Sequence, residues 1–261
     1  MAHFIYPNAN LYDAEPVGGD QTGGTNDFAA DATSATNEHR LTDNSIATAA
    51  GMPAQYDTVQ FDLSSTGNSI DSLAVHTTAA DSGDLDFYAS DSATSNAYAT
   101  GITGSSFSAL TVGWNVKAGN LTVSSSAPAT RYYYMRQSED GNNTLTEVIL
   151  GKKVDLTNVT LSGNEGKNFG NDVVSSYGGV EFSNLRHEGK RFYNFNLDHV
   201  NETYKASLEA MRDAVRGSHY KLLYYDGSTY HYVRMSNNSL QFKEVAFGVY
   251  DTSISLVEQL S

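Results

Sequence analysis

The sequence predicts a mostly β protein: an N-terminal β-sandwich followed by an α+β domain in which one main helix packs on an antiparallel sheet. Three observations support this fold class. The chain of 261 residues contains 17 Tyr and 22 Gly but only 4 Pro, a composition that favours strands joined by turns. Short segments alternate apolar and polar residues between residues 56 and 153. One later segment shows helical periodicity.

A change in charge divides the chain. Residues 1–130 contain 2 basic and 14 acidic residues, whereas residues 131–261 contain 14 basic and 16 acidic residues. A chain of this length can bury the cores of two ordinary domains. We therefore expect an extended lead-in at residues 1–37, the β-sandwich at 38–152 and the α+β domain at 153–261.

The first predicted domain has about seven short strands separated by Gly, Asn, Asp and Ser turns, a spacing typical of a sandwich. In "RYYYMRQS", alternation places Tyr132 and Tyr134 on one face and Tyr133 and Met135 on the other. This pattern indicates core packing with a covering row of tyrosine more readily than a ligand platform. The single tryptophan, Trp114, stands among apolar residues, which favours a place in the core. The alternating segments are 56–65, 69–78, 84–92, 107–116, 120–126, 131–138 and 145–153.

One segment of the second predicted domain has clear helical periodicity. Its apolar residues recur at steps of three and four: Val200, Tyr204, Leu208, Met211 and Val215. Asn201 is suited to cap the helix at its start, and Gly217 to stop it at its end. Beyond the helix, Asp226 and Gly227 predict a hairpin turn between two apolar segments.

Composition excludes several classes of function. A net charge of −14 and a pI near 4.7 argue against a nucleic-acid binder, because phosphate contacts need clustered Lys and Arg. There are no cysteines, so any metal would need oxygen or imidazole ligands. No leader-like start is visible and no apolar run approaches the roughly 20 residues that span a bilayer, which predicts synthesis and folding in a cytoplasm without a membrane span.

The sequence shows no catalytic motif, and we expect a protein that is not an enzyme. It lacks the Gly-x-Ser-x-Gly elbow, the His-Glu-x-x-His zinc motif, the phosphate-binding Walker loop and the dinucleotide-binding Gly-x-Gly-x-x-Gly. Asp84 and Asp86 point to one face of a strand, as paired acids of glycosidases can. They flank Leu85 in an alternating segment, which favours a solvated strand face instead.

Residues 38–152 resemble a discoidin-type, galactose-binding-like jelly roll. The resemblance is carried by "RLTDNSIATAA", "YDTVQFDLSS", "SIDSLAVH", "DLDFYASDSA" and "ATRYYYMRQ" followed by "LTEVILG". It implies a calcium site formed by Asp43, Thr48 and Glu147, with Ser45 where the family often has a second acid. Oxygen ligands suit this hard cation. The alternative is a hydrogen-bonded loop that needs no metal.

Loops at one end of such a jelly roll often bind ligands. The candidate ligand-binding residues are His39, Arg40 and Tyr56, which could contact a host surface glycan through hydrogen bonds and aromatic stacking. These roles are implied by the resemblance and by the chemistry of the three side chains.

Residues 153–261 resemble the sheet-and-helix domain of tail and baseplate proteins of tailed phages, of the distal-tail kind. The resemblance is carried by "GGVEFSNLRHEGKRFYNFNL", "ETYKASLEAMRDAV" and "YKLLYYDGSTYHYVRMS". It implies a structural protein of the virion tail that forms a homo-oligomeric ring with other tail proteins and exposes its acidic sandwich. The alternative is a carbohydrate-binding module or cell-surface adhesin without catalytic activity.

Overall fold

The structure is a computed structural model that describes residues 1–21, 28–30, 35–64, 69–80, 83–93, 101–123, 130–138, 143–157, 159 and 164–259. The chain divides into two compact units. The N-terminal unit comprises Ile5–Lys153, and the C-terminal unit comprises Val154–Leu260 together with Met1–Phe4.

The described residues form eighteen strands and one α-helix, which confirms the predicted mostly β class with one main helix. The first strands are β1 (His3–Pro7), β2 (Val17–Gln21), β3 (Phe28–Ala30), β4 (Ala50–Met52), β5 (Thr58–Asp62), β6 (Ser72–Thr77), β7 (Leu85–Ser90), β8 (Ile102–Thr103), β9 (Gly113–Lys117), β10 (Thr122–Val123), β11 (Tyr132–Gln137) and β12 (Asn143–Asp155). Then follow β13 (Asn164–Ser175), β14 (Glu181–Asn201), α1 (Glu202–Ala214), β15 (Leu222–Tyr225), β16 (Tyr230–Met235), β17 (Lys243–Ala246) and β18 (Val249–Glu258). A short 3₁₀ helix spans Glu38–Thr42.

The first 37 residues are not the extended lead-in that the sequence predicts, because they contain β1, β2 and β3. All five residues of β1 are buried, and Phe4 and Ile5 are fully so. Burial of the apolar side chains of this short segment is favourable, so the segment packs as a strand and does not stay extended in solvent. Its backbone is anchored as well: the Asn8 N–H donates to the Leu150 carbonyl at 2.7 Å.

The N-terminal unit is a two-sheet β-sandwich. One sheet has the strand order β3-β2-β5-β11-β7. In the other sheet, β12 pairs with β4 and β6, and β6 pairs with β9. The chain passes from one sheet to the other between β5 and β6, between β6 and β7 and between β11 and β12. The core between the sheets contains Phe61 and Met135 from the first sheet and Val75 and Leu150 from the second.

Alternation in β11 follows the prediction. Tyr133 and Met135 lie in the main core, whereas Tyr134 packs with Phe28 in a small cluster on the other face of the sheet. Tyr132 packs against that cluster. Trp114 was predicted to lie in the core, but the structure shows it half-buried. Its ring centroid lies 5.0 Å from that of His76.

The sheet of the C-terminal unit has the order β13-β14-β18-β16-β15, and β17 also pairs with β18. Helix α1 begins where the sequence predicts: the Asn201 Oδ1 accepts the Tyr204 N–H at 2.8 Å. It ends in a Schellman motif, because the Gly217 N–H donates to the Arg212 carbonyl and the Arg216 N–H to the Asp213 carbonyl. The predicted hairpin at Asp226 joins β15 to β16.

In the part of the chain that the structure describes, no helix combines the length and the apolar character needed to cross a bilayer.

Candidate functional site

A long hairpin of the C-terminal unit is largely exposed to solvent. Here the arm means residues 164–191: β13, the turn at 176–180 and the paired first half of β14. Ser176 and Val180 close the turn, with the Ser176 N–H donating to the Val180 carbonyl at 2.8 Å. Gly179 adopts φ of 79°, which side chains disfavour. At about 3.3 Å per residue, β13 extends for roughly 40 Å.

In the arm, aromatic rings from one strand pack over glycines of the other strand and hold the two strands together. A Cβ on Gly170 would lie 2.3 Å from the His187 ring, and one on Gly189 would lie 2.9 Å from the Phe169 ring. Each ring therefore covers a glycine on the opposite strand. This cross-strand packing explains how a glycine-rich segment forms a regular hairpin.

The tip of the arm, residues 169–185, exposes large apolar side chains on both of its faces. None of the residues of β13 is buried. Tyr177 in the turn is fully exposed, and Phe182 is 62% exposed. A monomeric protein rarely exposes so many large apolar side chains in one segment, so the tip is a candidate contact surface. Its exposed large apolar side chains are Phe169, Val173, Val174, Tyr177, Val180, Phe182 and Leu185.

The base of the arm is polar. A cavity of about 300 Å³ is lined by Glu165, Gly166, Lys167, Arg191 and Tyr193. Lys167 lies directly opposite Arg191 in the hairpin, so two cations face each other across the strands. The exposed large apolar side chains of the arm are therefore confined to its tip.

A second exposed apolar feature lies at the turn between β17 and β18. The two-residue turn Phe247–Gly248 follows the pairing of Ala246 with Val249, and Gly248 adopts φ of 69°. Phe247 is 100% exposed, and Val245 beside it is 46% exposed. We call residues 245–248 the Phe247 turn.

Two of the three residues predicted to bind calcium, Asp43 and Thr48, contact each other in one loop of the sandwich, and the third, Glu147, accepts a hydrogen bond from the backbone of that loop. The Thr48 hydroxyl donates to the Asp43 carboxylate. Between them in sequence, the Ser45 N–H donates to Oε2 of Glu147 at 2.9 Å. The Asp43 and Glu147 carboxylates and the Thr48 hydroxyl are hard oxygen donors, the kind that calcium binds. No three His, Asp or Glu side chains form a metal-ligating group within the described ranges, so a cation here would also need backbone or water oxygens.

A β-bulge in β12 places Glu147 at this loop. The register of β12 against β6 shifts between Leu145 and Glu147. Leu145 and Val148 consequently both reach the core, although simple alternation would place them on opposite faces. Glu147 is fully buried, so its carboxylate is held by the surrounding loop and not by bulk water.

The three predicted ligand-binding residues have different surroundings. His39 and Arg40 lie in the 3₁₀ helix, where the Arg40 guanidinium donates to the Ala49 carbonyl at 3.2 Å. Tyr56 instead lies against Arg136 of β11, whose guanidinium carbon is 5.8 Å from the Tyr56 ring centroid. Tyr56 is 41% exposed and adopts φ of 71°, a left-handed backbone conformation that is costly for a tyrosine.

Arg136 joins Tyr56 to a larger polar–aromatic patch on the outer face of the five-stranded sheet. Its guanidinium lies 4.9 Å from the Tyr88 ring centroid and donates to the Tyr88 hydroxyl at 2.7 Å. Asp86 lies 3.8 Å from the guanidinium. Burial raises the pKa of Tyr88, so its phenol stays protonated as a hydrogen-bonding group. Tyr56 was predicted from the sequence, but Tyr88 and Arg136 were not, because they meet only through strand pairing.

A network of polar side chains in the C-terminal unit was also not predicted. Nε2 of His231 lies 3.0 Å from Asp226, and Nδ1 lies 3.5 Å from Glu258. Burial acts to raise the pKa of Asp226, but hydrogen bonds from His231, Thr229 and Ser228 outweigh it and lower that pKa well below its ordinary value. The network ties the β15–β16 turn to β18, which is a structural role.

Comparisons with known proteins add no family. No protein-family model and no curated protein sequence matches the chain. Among solved structures, that of SpGH29, a glycoside hydrolase of family 29, matches with 13% sequence identity and a TM-score of 0.37. The match covers 56% of this chain and only 28% of that one. At this TM-score the likeness carries no inference about function.

Proposed function

We propose that this protein is a structural component of a tailed-virus particle, at the tail tip or baseplate, and has no catalytic activity. It assembles through its C-terminal unit and exposes the acidic sandwich to neighbouring subunits or the host surface. In this proposal it is made in the host cytoplasm and becomes part of the virion tail, within a homo-oligomeric ring that contacts other tail proteins.

One observation carries the proposal: the exposed large apolar side chains are concentrated in the C-terminal unit. Of the 13 such side chains among the described residues, only Tyr56 and Val112 belong to the N-terminal unit. Contiguous exposed apolar surface is typical of sites that contact other proteins. The charge distribution supports the same division, since residues 131–261 are nearly balanced while residues 1–130 are strongly acidic.

The proposal is tested by measuring the mass and shape of the purified protein. Light scattering coupled to size-exclusion chromatography should show a defined oligomer, and electron microscopy should show closed rings, as head-to-tail contacts between identical subunits produce. A protein that remains monomeric at every concentration and salt condition would contradict it.

A second candidate function is carbohydrate binding by the sandwich, favoured by the patch of Tyr56, Tyr88 and Arg136. Aromatic faces stack on sugar rings, and guanidinium and carboxylate groups pair with hydroxyls. A glycan array should show binding by the wild-type protein that is lost in Tyr56→Ala and retained in Val112→Ala. Binding that instead requires Arg40 would move the site to the 3₁₀ helix, and an array without any signal would reject this function.

A further inference from the structure

We propose that the cavity at the base of the arm binds a carboxylate that carries neighbouring hydroxyl groups, which is the chemistry of a sugar acid. Lys167, Arg191 and Tyr193 hold the carboxylate, and Glu165 accepts a hydrogen bond from a hydroxyl. We call these four residues the carboxylate site. The inference goes beyond the assembly function proposed above and does not depend on it.

Strand pairing brings the four side chains to one face of the sheet. Lys167 of β13 lies directly opposite Arg191 of β14, and Glu165 lies directly opposite Tyr193. Side chains two positions apart on a strand share a face, so both pairs lie on the same side of the hairpin. With Gly166, they line the cavity of about 300 Å³. Ligand sites span roughly 300–1,000 Å³, so this cavity suits a ligand of about one sugar ring.

The two cations of the site have no ion-pair partner. Like charges directly opposite each other in a strand pair are unfavourable. Among the described residues, neither Lys167 nor Arg191 forms an ion pair through its side chain. The backbone N–H of Arg191 donates to Oε2 of Glu258 at 3.1 Å, which uses none of the guanidinium donors. A carboxylate between the two side chains would remove their repulsion and accept hydrogen bonds from both.

Tyr193 supplies a buried donor that lacks an acceptor. The residue is 2% exposed, and its hydroxyl is buried without a hydrogen-bond partner of normal geometry in the described part of the chain. Burial raises the pKa of this phenol more than the nearby Arg191 lowers it, so the phenol keeps its proton. A guanidinium has donors only and cannot accept that proton. Because an unsatisfied buried hydroxyl is costly, an acceptor bound in the cavity would stabilise this side chain.

The charge of the site favours a monoanion over a phosphate. The lining has two basic residues and one acidic residue, which give a formal charge of +1. One carboxylate cancels this charge. A phosphate ester carries about −1.5 to −2 at pH 7 and would exceed it. The phosphate would also meet the carboxylate of Glu258, which lies beside Arg191.

Glu165 determines which groups the ligand needs besides its carboxylate. An ionised carboxylate side chain accepts hydrogen bonds and donates none, so the ligand must supply a donor. The ammonium group of an amino acid would bring a third positive charge close to Lys167 and Arg191. A hydroxyl group is neutral and donates to Glu165 without this repulsion. The combination of one carboxylate and neutral hydroxyls is that of a sugar acid.

The first experiment measures binding of sodium D-galacturonate to the full chain by ligand-observed NMR. Binding should be saturable. D-galactose lacks the carboxylate and acetate lacks the hydroxyls, so each should bind at least about tenfold more weakly through the loss of charge-assisted hydrogen bonds. Tri-galacturonate that binds more tightly than galacturonate would support a site for an acidic polysaccharide, and equal binding would support a site for the free sugar acid.

Substitutions assign the binding to the cavity. Lys167→Gln and Tyr193→Phe should each weaken galacturonate binding by at least about tenfold, since each removes one hydrogen bond to a charged group. Tyr193→Phe keeps the buried ring, and circular dichroism establishes that the variants fold. Lys190→Gln is the matched control and should bind like the wild type, because Lys190 precedes Arg191 in β14 and lies on the other face of the hairpin.

A third substitution tests the charge argument. Glu165→Gln raises the formal charge of the lining from +1 to +2. Affinity for galactose 6-phosphate should then rise relative to that for galacturonate by about fivefold, the effect of one further unit charge at about 4 Å in water. An unchanged ratio of the two affinities would show that charge does not select the ligand.

Three results would overturn the inference. The first is the absence of saturable galacturonate binding by the wild-type protein. The second is equal weakening by Lys190→Gln, which would indicate unspecific attraction to a charged surface. The third is tighter binding of glycine or galactose 6-phosphate than of galacturonate. Because the titration requires no assembly, failure of this site leaves the assembly function standing, and a monomer that binds galacturonate would contradict only the assembly function.

Discussion

At the residue scale, the Arg131–Asp62 pair has the geometry of a strong ion pair in the sandwich. Arg131 donates from Nε and Nη2 to the two oxygens of Asp62 at 2.7 and 2.6 Å. The hydrogen bonds from Arg131 lower the pKa of Asp62 below its ordinary value of 3.8. The Arg131 side chain is 40% exposed and that of Asp62 is 33% exposed, so solvent screens the pair and its contribution to stability is small.

The pair should make stability depend on acidic pH. Because the pKa of Asp62 is lower in the folded than in the unfolded protein, its stabilisation is complete well above 3.8 and is lost as the pH falls through the folded value. Thermal unfolding of Asp62→Asn should therefore show a weaker dependence on pH below 4 than the wild type. Equal slopes for the two proteins would show that the ion pair contributes nothing.

The calcium loop is the second feature that acts through individual residues. If Asp43, Thr48 and Glu147 hold calcium, the ion should stabilise the protein by about 2.7 kcal/mol at a free concentration 100 times its dissociation constant. Calorimetric titration should detect binding, and EDTA should reverse the rise in melting temperature. Asp43→Ala should abolish both effects, while Asp13→Ala serves as control. An unchanged melting temperature in calcium would favour a loop that needs no metal.

At the scale of elements, local signals located α1 and the β15–β16 hairpin correctly. Asn201 caps the helix as predicted, and Gly217 ends it with φ of 68°. Residue periodicity predicts these elements because the pattern of apolar and polar residues that defines each one spans only a few neighbouring positions in the sequence. The bulge in β12 was not predictable in this way, because it depends on the register against β6, which is distant in the chain.

Close approach of the backbone makes Gly151 of β12 a sensitive position. A Cβ on this residue would lie 1.8 Å from the Tyr6 carbonyl oxygen, which is backbone and cannot rotate away. Gly151→Ala should reduce the free energy of unfolding by at least about 2 kcal/mol, as overpacking of a core does. Chemical denaturation measures the change. Gly101→Ala, where a Cβ would meet nothing within 4 Å, is the matched control.

At the scale of the whole molecule, the net negative charge opposes the association that we propose for the exposed apolar surface of the C-terminal unit. Salt screens the repulsion between copies but hardly affects apolar contacts. Assembly of the wild-type protein should therefore strengthen as salt rises from about 10 mM to 150 mM, over which the Debye length falls from roughly 30 to 8 Å. Analytical ultracentrifugation measures this trend. Assembly that weakens with salt would indicate contacts dominated by ion pairs.

The sequence by itself determined the mostly β class, the main helix with its cap and the alternation of β11, since each depends on neighbours a few residues apart. Only the tertiary structure decided that the first residues form strands, that Glu147 reaches the Asp43 loop and that Tyr56 meets Arg136. It also left the apolar tip of the arm in solvent. Hydrophobicity alone predicts that Phe182 and Phe247 are buried. Whether such a side chain is exposed depends on which surfaces the rest of the chain is able to cover.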